Sequence, residues 1–291
     1  MSCIIFISIF AHIINNNQYT FTLVSRIYYI FVFLLLVCMS CEWRLKSSDK
    51  DVPGDNVVVD RYDRIESLYL TTGDFSALQQ MNTNYPMQTR TLIEDVLKIG
   101  YVNDHDINNK FLNFYQDTTL QGLINEVEQQ YAYMDDINKD LTNAFRKLRK
   151  KLPGMKIPMV YAQIGALDQS IIVGNNTLGI SLDKYLGADY PLYKKYYPES
   201  QRKQMKRSMI VPDCLTFYIL SCYPMPHAYD IGQLECDMHI GKIMWIVNSI
   251  SHKPVFNTKY VAMVDRYMQK NKNIDMFTLL KATDYKDIVN H

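Results

Sequence analysis

The first 40 residues hold one of the chain's 31 basic side chains, Arg26, and none of its 30 acidic ones. The rest of the 291-residue chain is balanced, 30 basic against 30 acidic. Two physically different pieces therefore share one polypeptide, and they must be read separately. From Ile27 the sequence runs IYYIFVFLLLVCMS, 14 residues, and then reaches Cys41. An export signal needs a cationic start, an apolar core of roughly 7–15 residues and a small residue before the cut. Arg26, this run and Ser40 supply the three.

The residue after Ser40 is a cysteine, and Glu42, Arg44, Lys46, Ser47, Ser48, Asp49, Lys50 and Asp51 follow at once. This is similar to a bacterial lipoprotein signal, in which Cys41 is diacylated and becomes the new N-terminus. Cys38 is the poorer acceptor, because bulky Val37 precedes it. Two acyl chains anchor a protein stably where one binds marginally. The alternative is a permanent transmembrane helix, which wants about 20 apolar residues. Residues 4–14 form a second apolar run, separated by the polar stretch Asn15–Thr20. Residues 1–25 are read as an over-extension of the start, since a signal beginning near Arg26 suffices. The expected layout is a signal segment at 1–40, a lipidated tether at 41–56 with Pro53 and Gly54, and one domain at 57–291.

Within that domain the composition is that of a folded protein. Over the whole chain 48% of residues are hydrophobic and 21% charged, which excludes a disordered chain. A net charge of +1 argues against a dedicated nucleic-acid binder. After Cys3, Cys38 and Cys41 are set aside, Cys214, Cys222 and Cys236 remain. Three thiols form at most one disulfide, so this is no disulfide scaffold.

Patterning predicts helices first. Gly73-Asp74 divides a segment starting at Val57 from the short helix FSALQQM. Leu92, Val96 and Ile99 form one apolar stripe, with Gly100 as its stop. Phe111, Leu112 and Tyr115 form the next. Leu120, Leu123, Ile124 and Val127 form a third, entered through Asp117 or Thr118 as cap. The clearest stripe is Ile137, Leu141, Ala144, Phe145, Leu148 and Leu152, with acids at its start and bases at its end, as the helix dipole favours. Beyond Pro153-Gly154 the pattern turns to strands at 157–164, 170–173 and 177–182, expected as a three-stranded meander turned at Gly174-Asn175-Asn176. A helix is expected from Glu199 to about Leu220, bent at Pro212. Another spans Ile231–Ile250, and two short ones lie around 258–270 and 275–281. The fold class is α+β, mostly helical, with one small antiparallel or mixed sheet.

Familiar catalytic signatures are absent. There is no G-x-x-x-x-G-K-[ST], G-x-G-x-x-G, G-x-S-x-G or H-E-x-x-H. Cys236 and His239 lie one turn apart, with His227, Cys214 and Cys222 as further donors, but the spacing matches no closed zinc site. Asp183, Asp189, Asp213, Asp230 and Asp237 are the acids from which a carboxylate pair could be drawn. No cofactor is expected.

Residues 178–213 read LGISLDKYLGADYPLYKKYYPESQRKQMKRSMIVPD. A strand ending at Asp183, then Tyr185-Leu186-Gly187, two Tyr-Pro steps into a basic helix, and Ile210-Val211-Pro212-Asp213 resemble the gliding-motility lipoproteins of the GldB family of Bacteroidetes. The segment Cys236 to Trp245, an acid followed by an isoleucine-rich Gly-Lys helix, resembles that family's second marker. The resemblance spans roughly 57–250. It implies an envelope lipoprotein tied to gliding and to the secretion apparatus of gliding bacteria. It also implies a layout distantly similar to zincin metallopeptidases, with the helix at 199–220 standing where H-E-x-x-H would lie but carrying no histidine: a scaffold without its zinc motif.

The functional expectation is a non-catalytic, membrane-anchored envelope lipoprotein that binds another envelope protein, facing the periplasm or the cell surface. The alternative is an envelope hydrolase, peptidase-like, with an unrecognised site. The expected interaction face comprises Asp183, Tyr185, Gly187, Tyr190, Lys194, Lys195, Arg202 and Lys203, where cations interleave with aromatics. A solvated helix face over core tyrosines would read the same way. Gly179 and Gly187 are expected where the backbone needs close approach or unusual angles. The 170–182 hairpin is a candidate edge for a partner strand. Leu182 and Leu186 are expected to plug the core.

Overall fold

The structure, a computed structural model, describes residues 56–225, 232–251, 253–283 and 285–289. The signal run, Cys41, His227 and Asp230 lie outside the described residues.

Strand β1 (Val59–Asp60) leads into helix α1 (Tyr62–Thr72). Gly73 ends α1 in the left-handed region at φ 71°, donating its N–H to Tyr69, a conformation in which glycine has no Cβ to clash. Asp74 then caps α2 (Phe75–Asn84) by accepting the N–H groups of Ser76 and Ala77. Helix α3 (Pro86–Arg90) runs into a π-helical turn, Thr91–Val96. The helix ends earlier than Gly100. Lys98 takes the left-handed position at φ 54° and Ile99 closes back on Ile93, which leaves Gly100 in the following loop. Helices α4 (Ile107–Phe114), α5 (Thr118–Gln130) and α6 (Asp135–Lys151) follow. Asp117 caps α5 through the N–H groups of Thr119 and Leu120. The predicted stripe of α6 is buried from Ile137 to Leu148, with Asp135 and Asp136 at its start and Arg149, Lys150 and Lys151 at its end.

Strands β2 (Met159–Gln163), β3 (Ile171–Gly174) and β4 (Thr177–Ser181) fall where expected, but they do not form a meander. The sheet is mixed, in the order β1-β2-β4-β3. β1 pairs parallel with β2, β2 pairs parallel with β4, and only β3 and β4 form an antiparallel hairpin. Burial explains the order. β2 is enclosed after Met159 and β4 after Thr177, so both are interior strands, whereas β3 is exposed over Val173 and Gly174. The loop after β2 carries the chain out to the edge, and the hairpin brings it back beside β2.

The helix expected over 199–220 is two separate helices. After a 3-10 turn at Leu182–Lys184 come α7 (Pro191–Tyr196) and α8 (Glu199–Arg202), then a second 3-10 turn at Arg207–Met209, then α9 (Ile210–Cys222). The break lies at 203–206, where Leu186 and Lys206 form an isolated antiparallel bridge. Pro212 bends nothing. It sits in the first turn of α9, where its missing N–H has no helical partner to lose.

Helix α9 is buried through Ile210, Cys214, Leu215, Tyr218 and Ile219. It packs against α6, β3, β4 and the long helix α10 (Gln233–Ser251). Helices α11 (Lys259–Lys270), α12 (Met276–Lys281) and α13 (Lys286–Val289) complete the chain. The class is α+β, mostly helical with one small mixed sheet. Among the described residues no helix is long and apolar enough to cross a membrane.

Candidate functional site

The parallel strands β2 and β4 end side by side, and three acids gather at their carboxyl ends. Glu66 stands on the buried stripe of α1 and is fully enclosed. One of its oxygens accepts the N–H of Ile164 at 2.9 Å, while Oε1 is buried without a partner among the described residues. Burial pushes its carboxyl well above the usual range, against the Ile164 hydrogen bond, and Asp183 and Asp63 add to the rise. Asp183, in the turn after β4, is equally enclosed. Its carboxylate accepts the N–H of Gly165 at 2.8 Å and of Leu167 at 2.6 Å. Those bonds hold a loop in which Ala166 and Leu167 both adopt left-handed backbone, at φ 49° and 66°. Consecutive non-glycine residues there are strained, and the buried carboxylate fixes the strain in place.

Asp213 is different. It lies in the first turn of α9 and takes one hydrogen bond, from the Tyr185 hydroxyl to Oδ2 at 2.8 Å. It lines a pocket of about 160 Å³ with Ser170, Lys184, Tyr185, Tyr197, Gln201, Gln204 and Met205. Burial pushes its carboxyl up to about 6, with the Tyr185 hydrogen bond pulling back and no cation helping. Lys184 lines the same pocket, but its ammonium is committed to the Leu167 carbonyl at 3.1 Å and the Tyr197 hydroxyl at 3.2 Å.

The expected interaction face divides. Asp183 and Tyr185 point inward, so they anchor the segment. Tyr193 locks the turn, its hydroxyl donating to the Asp183 carbonyl and accepting the Leu186 N–H. Tyr131 donates to the Tyr185 carbonyl at 2.8 Å. Gly187 has φ 110° and donates to Met205 at 2.9 Å, so its glycine is needed for backbone conformation. Gly179 is needed for close approach: a Cβ there would sit 2.5 Å from the Tyr161 ring. Tyr190 is half-buried against Tyr193. Arg202 is half-buried and donates to the Ala188 carbonyl at 2.9 Å. Lys194, Lys195 and Lys203 are exposed, and two of them carry acid partners, Lys194 with Asp189 at 3.0 Å and Lys203 with Glu199 at 2.8 Å. Leu182 and Leu186 are buried.

Elsewhere, His239 is buried with Nε2 against the Tyr223 carbonyl at 2.8 Å. Among the described residues no group of three or more histidines, cysteines and acids stands close enough to hold a metal ion. The Gly241-Lys242 pair seats the C-terminal helices. A Cβ on Gly241 would meet Tyr260 of α11 at 2.7 Å. Lys242, fully buried, donates to the Ala282 carbonyl at 2.7 Å, just past α12.

Sequence reasoning missed Glu66, Ser170, Gln201 and Gln204. Glu66 left one legible signal, a charge at the central position of the Tyr62–Glu66–Leu70 stripe. The pocket residues left none, because they come from four separate segments.

The class that the fold and site define is an α+β unit with buried acids at the carboxyl ends of two parallel strands. The family of gliding motility protein GldB matches residues 45–254, and the chain belongs to that family of gliding-motility-associated lipoproteins. The family name associates it with the cell envelope. No curated protein matches the chain, and no solved structure does. Helices α11–α13 lie beyond the matched residues and rest on Gly241 and Lys242 within them.

Proposed function

We propose that this chain is a diacylated envelope lipoprotein, anchored through Cys41, that works without catalysis by binding another envelope protein. The observation that carries the reading is the inequality of the two sheet edges. On the β1 side the backbone is already occupied. Val57 and Val59 donate to Thr142 Oγ1 and Asn138 Oδ1 of α6, both at 2.9 Å. On the β3 side Ser170 accepts from Ser181, and antiparallel alternation from that pair turns the N–H and C=O groups of Ile171 and Val173 outward. Among the described residues none hydrogen-bonds to them. An open edge is a template for a partner strand, and native proteins normally blunt one that has no use. In this reading the exposed lysines Lys194, Lys195 and Lys203 would steer an anionic partner electrostatically rather than dock it.

Two measurements test the reading. Labelling cells with an alkyne fatty acid is expected to mark the wild type and not Cys41→Ala; equal labelling removes the anchor. A photo-crosslinking residue at Val173 is expected to trap a discrete envelope protein in native membranes, and one at exposed Tyr133 is not. If both positions give the same products, or Val173 gives none, the edge is not the docking site.

A further inference from the structure

The Asp213 pocket opens beside Ser170, the residue immediately before β3. A chain added to the β3 edge would therefore pass its mouth. At about 160 Å³ the pocket suits one side chain; cofactor and drug-sized sites run several hundred. Its chemistry is one-sided. Asp213 has no cation partner among the described residues, and the one cation on the wall, Lys184, is held by a carbonyl and a phenol. Burying a carboxylate without a counter-charge is costly unless something supplies one. One Asp213 oxygen is occupied by Tyr185, which leaves a single oxygen free. A guanidinium wants two parallel acceptors, whereas an ammonium is a point charge satisfied by one, with the Gln201 and Gln204 amides for its remaining protons.

Resting on the strand-addition reading above, we propose that this pocket is the seat for a lysine side chain on the extended segment that pairs with β3. Asp213 neutralises the ammonium and Tyr185 holds the carboxylate in position, while the Lys184 ammonium stays on the Leu167 carbonyl and the Tyr197 hydroxyl. Tyr185, Tyr197 and Lys184 are the ionisable groups that share the pocket wall with Asp213, and Cys214 is its chain neighbour; burial keeps Tyr185 and Cys214 neutral, and Asp213 and Lys184 are the pocket's carboxyl and ammonium.

The test uses the full-length protein in detergent and a fluorescent, N-acetylated, C-amidated Val/Thr heptapeptide with lysine at each position in turn. The best of these is expected to lose about tenfold or more in affinity when its lysine is acetylated, or when Asp213→Asn replaces the wild type. Asp213→Asn keeps an acceptor for Tyr185 and leaves the acetylated peptide's affinity unchanged. Binding of the lysine peptide weakens from pH 7.5 to pH 5, as a carboxyl titrating at about 6 requires. Equal affinity for lysine and acetyl-lysine peptides, indifference to Asp213→Asn, or no binding by any of the set overturns the proposal. A norleucine peptide with a free N-terminus that binds as well assigns the seat to an α-amine and overturns the lysine. Val173→Pro separates the two readings, because it removes only an outward N–H. If it abolishes binding of both peptides while Asp213→Asn does nothing, the edge stands and the pocket falls. If it changes nothing while Asp213→Asn weakens the lysine peptide, the pocket stands and the edge falls.

Discussion

Asp183 and Asp213 are two acids at the same end of one small sheet, both with carboxyls pushed up by burial. They do opposite things. Asp183 is enclosed, and both its oxygens are filled by backbone N–H groups from a strained loop. Asp213 has one filled oxygen and faces a pocket. The first is a buried polar group that the fold satisfies. The second is one that the fold leaves partly unsatisfied, which is the mark of a position kept for something other than stability.

The sharpest way to break this comparison is to remove both carboxylates separately. Asp183→Ala orphans the Gly165 and Leu167 N–H groups and releases the left-handed Ala166-Leu167 backbone. At about 1–3 kcal/mol for each buried donor left unmade, a loss of about 4 kcal/mol is expected in the unfolding free energy from urea titration. A variant that unfolds within 1 kcal/mol of wild type would show the loop holding itself.

Asp213→Asn should move stability the other way. A carboxyl whose folded pKa lies above its unfolded value stabilises most below the unfolded value, and that contribution is lost as pH rises through the folded one. For Asp213 the loss runs from about pH 4 to about pH 6. With about 1.36 kcal/mol per pKa unit, and allowing for its partial exposure, the neutral isostere is expected to gain about 2 kcal/mol at pH 7 and nothing near pH 4. Thermal scans across that range check it. A variant less stable than wild type at pH 7 would put Asp213 in the same role as Asp183.

The sequence displayed the periodic parts of this fold. The α6 stripe, the Gly73-Asp74 break, the cap at Asp117 or Thr118, the 174–176 turn and the strand spans all depend on neighbours a few residues away. What it did not display is pairing. Nothing in residues 157–182 says that β2 bonds to β4 rather than β3, because that choice rests on which strand is covered on both faces by distant helices. The site divides the same way. Asp183 and Asp213 stood out as acids, but whether each points in or out depends on Gly165, Leu167 and Tyr185. Arg202 reads as one more cation in a basic run until Ala188 is seen to accept from it.

The lysines around Arg202 give the smallest predicted effect. Reversing Lys194, Lys195 and Lys203 to glutamate breaks the exposed pairs with Asp189 and Glu199 and the contact of Lys195 over the Tyr196 ring, all of them open to solvent screening. The melting temperature should shift by no more than a degree or two. Adding Arg202→Glu to that set also removes the hydrogen bond to Ala188 and places a carboxylate where a half-buried guanidinium sat. The fourfold variant should therefore be less stable than the threefold one by about 1–2 kcal/mol. The pair of variants separates anchoring from display. If the threefold variant keeps the Val173 crosslink, the lysines are only a solvated rim. If it loses the crosslink with its melting temperature intact, they steer the partner to the edge, and the salt dependence of that loss should follow the charge removed.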